Sequence, residues 1–428
     1  DVTDFGRRVT MGQLEETAIQ RVGFKCNGAG RLVYPGLLQL ASFMSMNAER
    51  HGAAFQDHIM AVSQEDIPAQ AKHNKFYDEY LAVMDATRSM LQHVFRTSNE
   101  LTLAMPGTGS AGMEACIANL VEPGDEVVVG VCGYFGARMV EMAERHGATV
   151  HRVEAPWGEI IDPAAIGRAL ADHPATKVVG VVHAETSTGA HQPLEEISAL
   201  AHAAGALLLV DAVTSLGCVE LRLDDWAIDA CYSCSQKGLS SPPGLAPVSF
   251  SPMAAERIKG RKSRVRSWYL DLSLVSRYWS SDRVYHHTAS SNLGYALYEG
   301  LRMVAEEGLD ARQTRHLAHH RALRAGLEAL GLSYIPERSL PNLNAVRVPD
   351  GADDPDVRKR LLNEYGIEIG AGLGPFAGKA WRIGIMGSSC TQRNVILVLG
   401  ALESILGDMG VAVPKGAAIT AASGVFAS

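Results

Sequence analysis

Three short stretches carry residue types that can do chemistry together. The first is PGTGSAGMEA (106–115), whose glycines free backbone N–H groups at the start of a helix with Met113, Ile117 and Leu120 on its apolar side. A helix N-terminus beside Gly and hydroxyl residues is an anion cradle. It lacks the Lys-Ser/Thr pair of a nucleotide-binding loop. The second is LLLVDAVTS, with Asp211 at the carboxyl end of an apolar strand. A poorly solvated carboxylate there needs a positive partner, such as a protonated ring nitrogen. The third is YSCSQKGLSSPPG, which places Lys237 in an uncharged polar loop. A lysine partly buried in such a loop favours its neutral, nucleophilic form and is suited to imine chemistry. Each feature alone reads as a Gly-rich turn, a structural ion pair or an exposed loop lysine. Together they supply what pyridoxal 5'-phosphate requires: a phosphate cradle, an acidic ring partner and a Schiff-base lysine.

Elements that position these residues alternate along the chain from about Asn99. VVVG (127–130), VVGVV (178–182), LLLVD (207–211) and PVSFS (247–251) are too short for helices and too uniformly apolar for half-exposed strands. Such runs suit a sheet covered on both faces. Phe76, Tyr80, Val83, Leu91, Val94 and Phe95 mark one helical face, and Pro193 opens a helix with Leu194, Ile197 and Leu200 inward and Gly205 as its stop. The pattern predicts an α/β fold with a mostly parallel sheet and ligands at the strands' carboxyl ends. After about Ser290 helices dominate, followed by the strand-like NAVRVPD and WRIGIMG, which predicts a smaller C-terminal α+β domain. The expected organisation is an N-terminal segment (1–75), a large cofactor-binding domain (76–290), a small C-terminal domain (291–410) and a mobile tail (411–428). Residues 43–74 are polar, with weak periodicity and no clear caps, and read as a partly ordered surface segment.

Composition excludes several classes. The 428 residues carry 39 Lys+Arg against 47 Asp+Glu, a net charge of −8, which argues against general nucleic-acid binding. The longest uncharged stretch, 238–255, contains Pro242, Pro243, Pro247 and Pro252 and is unsuited to span a membrane. The opening residues lack the apolar core of a signal peptide, and an odd count of 7 Cys suits a reducing, cytoplasmic compartment.

HAETSTGAHQPL (183–194), LLLVDAVTSLG (207–217), YSCSQKGLSSPPG (232–244), YHHT (285–288) and WRIGIMG (381–387) resemble the class V aminotransferases, close to the alanine– and serine–glyoxylate enzymes. The resemblance covers about 76–407. It implies a PLP-dependent transferase of fold type I, the transfer of an amino group to a small oxo-acid by a ping-pong mechanism, and a homodimer. It also implies roles. Lys237 resembles the lysine that carries the cofactor and Asp211 the partner of its ring nitrogen. Thr108, Gly109 and Ser110 match the phosphate-binding turn, with Gln236 beside the same phosphate. Phe135, in GVCGYFG, falls where relatives place an aromatic ring over the pyridine, many of them a Trp. Thr186 matches a hydroxyl near the ring. Tyr285 and Thr288 match residues that reach the phosphate across a dimer interface, and Arg382 matches the grip on the substrate carboxylate.

Departures and lesser signals bear on substrate. The family's Gly-Pro-rich N-terminal turn is matched only by NGAGRLVYPGLL (27–38), which makes Gly28 and Gly30 candidate substrate-pocket residues. Alanine or serine is the expected donor and glyoxylate the acceptor. An (S)-ureidoglycine–glyoxylate aminotransferase is the alternative, favoured by HAETSTG, APWGEIIDP and the long C-terminal tail. It is disfavoured by RSWYLDL, where Trp268 stands in place of an expected Asn. A non-catalytic PLP-binding protein on the same fold is the alternative from another class. His316, His319 and His320, and the basic run Arg257–Arg266, are read as solvated faces. Cys231 and Cys234 are read as core packing. Cys390 invites comparison with cysteine desulfurases, a reading its aminotransferase-like surroundings disfavour. No metal site is expected.

Overall fold

The computed structural model describes residues 69–427, with side chains from Glu79. In chain order the elements are α1 (Ala69–Phe95), β1 (Leu101–Pro106), α2 (Gly109–Leu120), β2 (Glu126–Val131), α3 (Tyr134–Arg145), β3 (Thr149–Glu154), α4 (Pro163–Asp172) and β4 (Thr176–Val182). Then come β5 (Ala184–Glu185), β6 (Ala190–His191), α5 (Glu195–Ala203), β7 (Leu207–Asp211), β8 (Ala230–Tyr232), β9 (Leu245–Phe250), α6 (Pro252–Lys259) and α7 (Leu272–Trp279). The rest are α8 (Ser291–Glu307), α9 (Leu309–Ala329), β10 (Leu343–Arg347), α10 (Asp354–Tyr365), β11 (Gly370–Ala371), β12 (Ala380–Gly384), α11 (Gln392–Asp408) and α12 (Ala417–Ala427). Among the described residues no helix is long and apolar enough to cross a membrane.

Two compact units result, one ending at Thr87 and including Ala289–Glu299, the other made of Arg88–Thr288 and Gly300 onward. In the first, the Tyr80 and Tyr295 rings meet edge-on at 5.7 Å. The second holds a seven-stranded sheet in the order β1-β9-β8-β7-β4-β2-β3. Strands β3, β2, β4, β7 and β8 run parallel, and β9 is antiparallel to both β8 and β1. The apolar runs became strands because both faces are covered: every residue of β7 and β9 is buried. The α1 face is also largely internal, with Leu91, Val94 and Phe95 at 3% exposure or less. Phe76 lies in α1, outside the described side chains. The helix expected from Pro193 starts at Glu195, with Leu194 as N-cap, and ends before Gly205, whose φ is +73°.

A smaller antiparallel sheet, β10-β12-β11, packs with α9, α10, α11 and α12 around Trp381, Leu327, Val346, Leu399 and Leu402. The tail is corrected here. Instead of a mobile end, its small residues form α12, with Ala418 and Ala422 buried in this core. Small side chains let α12 approach α9 closely, and a Cβ on Gly326 would lie 3.0 Å from the Ala418 carbonyl.

Two surface assignments are also corrected. His316 and His320 face inward: His316 Nδ1 contacts the Arg312 carbonyl at 2.7 Å and its Nε2 accepts from Gly387 N, while His320 Nδ1 pairs with Asn344 Oδ1. The basic run is not wholly solvated. Arg257 donates to the Leu120 carbonyl and Asp125, and Arg261 donates to the Asn119 and Val121 carbonyls. These guanidiniums close the carbonyl end of α2, where the helix dipole favours positive charge.

Candidate active site

At the carboxyl ends of β4, β7 and β8 the three chemical stretches converge. Asp211 ends β7 and lies in register with Tyr232 of β8. Its carboxylate is 2% exposed, accepts from the Tyr232 hydroxyl at 2.7 Å and from Val213 N at 2.8 Å, and has no ion-pair partner among the described residues. Burial pushes its pKa up to about 7, opposed by the Tyr232 hydroxyl. Tyr232 is itself raised, by burial and by the adjacent carboxylate.

Helix α2 starts against these strand ends. Gly109 is required there, because a Cβ would lie 2.9 Å from Val213 Cγ2 and 3.4 Å from Cys234 Cβ. The candidate phosphate turn therefore touches both the segment after Asp211 and the segment leading to Lys237. Thr108, the N-cap, is exposed and its side chain makes no capping bond. Among the described residues no acceptor is found for the Gly109 and Ser110 N–H groups. Gln236 and Lys237 are half-buried, and Gln236 Oε1 is buried without a partner among the described residues. The turn after Lys237 is fixed by Ser240 N donating to the Lys237 carbonyl. Arg312, 4% exposed, donates to the Gly217 and Gly238 carbonyls and pairs with Glu307.

The remaining wall comes from α3 and the β5 hairpin. Phe135 lies in the first turn of α3, and Thr186 follows β5, its hydroxyl bonded to that of Thr214. Arg382 of β12 donates to the Ala371 and Thr186 carbonyls, and no carboxylate pairs with it among the described residues. Burial lowers its pKa. Tyr285 and Thr288 are not brought into this cluster. Tyr285 is 73% exposed and bonds only Thr288 among the described residues, at 3.2 Å. Gly28 and Gly30 lie outside the described residues.

Sequence reading missed four members. Tyr232 stood in the quoted YSCSQKG and is the cross-strand neighbour of Asp211. Thr214, in LLLVDAVTS, is the hydroxyl partner of Thr186. Glu185, in HAETSTG, is fully buried and accepts from Ser187 N, Ser187 Oγ, Phe135 N and Gly136 N, so it fixes the start of α3. Burial raises its pKa against those donors. Arg138, one turn beyond Phe135, donates to Ser110 Oγ at 2.9 Å and stands 5.0 Å from the Phe135 ring. A periodicity count from Phe135 along α3 would have placed Arg138 on the same face.

The three cysteines singled out are all fully buried, and burial raises the thiol pKa of each, Cys390 to about 11. A thiol held neutral in this way is a poor nucleophile.

A model of the class-V aminotransferases matches residues 64–378. The chain belongs to this family. The (S)-ureidoglycine–glyoxylate transaminase of Bacillus subtilis is 40% identical over 372 residues, covering 82% of this chain and 89% of that one. The crystal structure of the Bacillus subtilis ureidoglycine–glyoxylate aminotransferase superposes with a TM-score of 0.81 at 41% identity, covering 82% of this chain and 92% of the other. The alanine–glyoxylate aminotransferase structure from Nostoc sp. has 50% identity and a TM-score of 0.75, covering 76% and 87%. These class-V relatives share the α/β architecture with its mostly parallel sheet. A second model, PHB de-polymerase C-terminus, matches residues 1–112. The stretch with Gly28 and Gly30 falls in that match and precedes the class-V match.

Proposed function

We propose that this aminotransferase moves the amino group of a small amino acid, alanine or serine, to glyoxylate or a similar 2-oxo acid, using pyridoxal 5'-phosphate. The observation that carries the cofactor reading is Asp211: a buried carboxylate without a cation among the described residues, beside a helix N-terminus whose first N–H groups have no acceptor among them. The residues fit the group. A protonated ring nitrogen supplies the charge Asp211 lacks. Gly109 N, Ser110 N and the Thr108 hydroxyl offer donors for a phosphate. The orphaned Gln236 amide, turned over, offers two more.

When bound, the cofactor supplies an aldehyde for the amino group and a ring that accepts the electron pair of the substrate Cα–H bond. Asp211 holds the ring-nitrogen proton through charge pairing, and Tyr232 and Val213 fix its two oxygens. Phe135 would offer an aromatic surface to the ring. Lys237 would be the amine that holds the cofactor and, when free, the base for the substrate Cα proton. Arg382 binds the substrate carboxylate and so directs the Cα–H bond.

Homodimeric assembly belongs to the same proposal: Tyr285 and Thr288, facing solvent, are the pair offered to the phosphate of a second copy. Domains of 76–290 and 291–410 and a cytoplasmic setting, supported by six free buried thiols among the described residues, complete it. The second reading is ureidoglycine as donor, favoured by the Bacillus relative, whose match covers 82% of this chain. A donor screen of alanine, serine and ureidoglycine with glyoxylate decides between them. Turnover with alanine or serine supports the first reading, turnover with ureidoglycine alone supports the second, and no turnover with any amino donor refutes both.

A further inference from the structure

Far from the carboxyl ends of the strands, three ligand-type side chains meet at the opposite edge of the sheet. Glu126 opens β2, His151 lies in β3 and His173 caps the C-terminus of α4. Glu126 Oε2 is 3.1 Å from His151 Nε2 and 3.7 Å from His173 Nδ1, and the three donor atoms all lie within 4.8 Å of one another. The fold dictates this convergence. His151 is in register with Val128, two residues along the pleat from Glu126, so the two side chains share a face. His173 precedes Thr176, which neighbours Glu126 across β4, and Thr176 holds the His173 carbonyl through both its N–H and its hydroxyl.

No Lys or Arg pairs with Glu126 among the described residues, and its only ionisable partners are the two imidazoles. Its side chain is 32% exposed, against 21% for His151 and 37% for His173, so solvent reaches the cluster. Two imidazoles and a carboxylate suit zinc-class ions, whereas magnesium and calcium prefer oxygen-only sites. A tetrahedral ion with bonds of about 2.0–2.2 Å spaces its ligand atoms by roughly 3.3–3.6 Å, close to the separations found. The imidazole planes are stacked, 3.3 Å between centroids and 8° apart. Each ring must therefore splay about its Cβ–Cγ bond to aim its lone pair at a shared ion, a movement on the solvent-reached side of the cluster, where the two side chains are 21% and 37% exposed.

We propose that Glu126, His151 and His173 form a site for one divalent transition-metal ion of the zinc class, with a fourth position open to solvent. The ion fastens β2, β3 and the turn between α4 and β4, and takes no part in amino transfer. The test uses purified holoenzyme stripped with a chelator, equilibrated with Zn2+ and analysed for bound zinc and melting temperature. Wild type should hold one more equivalent of zinc than His151→Ala/His173→Ala, and should melt higher with Zn2+ but not with Mg2+. Glu126→Gln, which keeps shape and packing, should weaken zinc binding about tenfold or more with turnover in zinc-free buffer unchanged. Equal zinc content and equal zinc-induced shifts in wild type and both variants would overturn the proposal, as would wild type taking up no zinc.

Discussion

Replacing Asp211 by Asn removes one charge while keeping the side chain's shape. In the cofactor-free protein, burial lifts this carboxyl from its ordinary 3.8 to about 7. Its folded form thus keeps a proton that the unfolded chain has already released, so the group's stabilisation is complete below about pH 3.8 and is lost as pH rises towards 7. With the residue 2% exposed, little screening by water applies. The shift corresponds to ~4 kcal/mol. The assay is urea denaturation of cofactor-free wild type and Asp211→Asn between pH 4 and 8. Stability of wild type minus variant should fall by ~4 kcal/mol across that range. Adding cofactor should flatten this slope, because a cationic ring partner keeps the carboxylate charged in the folded state. A difference that stays constant with pH in the cofactor-free protein, or that rises, refutes the reasoning.

Four further outcomes are expected. Lys237→Ala should melt like wild type yet lose turnover and the cofactor's lysine-linked visible absorption; an active variant contradicts the assigned role. Arg382→Lys gives up the planar fork, and kcat/KM for amino donors should drop by roughly ten- to a hundredfold, as read in steady-state assays at saturating glyoxylate. Glu185→Gln leaves donors at the start of α3 without an acceptor, and should cost about 2 kcal/mol in a denaturation curve. Gly326→Ala pits a helix-propensity gain of about 1 kcal/mol against overpacking of about 1–3 kcal/mol; with the buried Leu399 side chain forced to shift and the Ala418 carbonyl only 3.0 Å from the new Cβ, a net loss of stability is expected, and a raised melting temperature disproves the close packing.

What the sequence revealed and what it concealed follow from how local each signal is. The buried strands were legible because uninterrupted Val and Leu runs as short as LLLVD have few other uses. The placement of Asp211 at a strand end was legible because it lies in a compact motif that directly continues an apolar run. Tyr232 and Glu185 were not, because their importance depends on what lies across the sheet: a neighbouring strand for one, the start of α3 for the other. The inward histidines of α9 defeated a periodicity reading because the helix is covered on more than one side, so a polar face there is a hydrogen-bonded interior. The tail misled for a related reason. Alanine and glycine look unstructured by composition, yet they are the residues that permit one helix to lie close to another. Residues 43–74 were illegible as part of the aminotransferase pattern, and most of them precede its match at residue 64 and lie in the stretch that matches a different family.

Arg312 gives the lysine loop a property that its own residues do not. One guanidinium grips a carbonyl beyond Asp211 and another directly after Lys237, while Glu307 steadies it from behind. The segment after Asp211 and the loop after Lys237 are thus riveted to a single long helix. A loop tied down in this way has little conformational freedom left to surrender if a ligand docks against it.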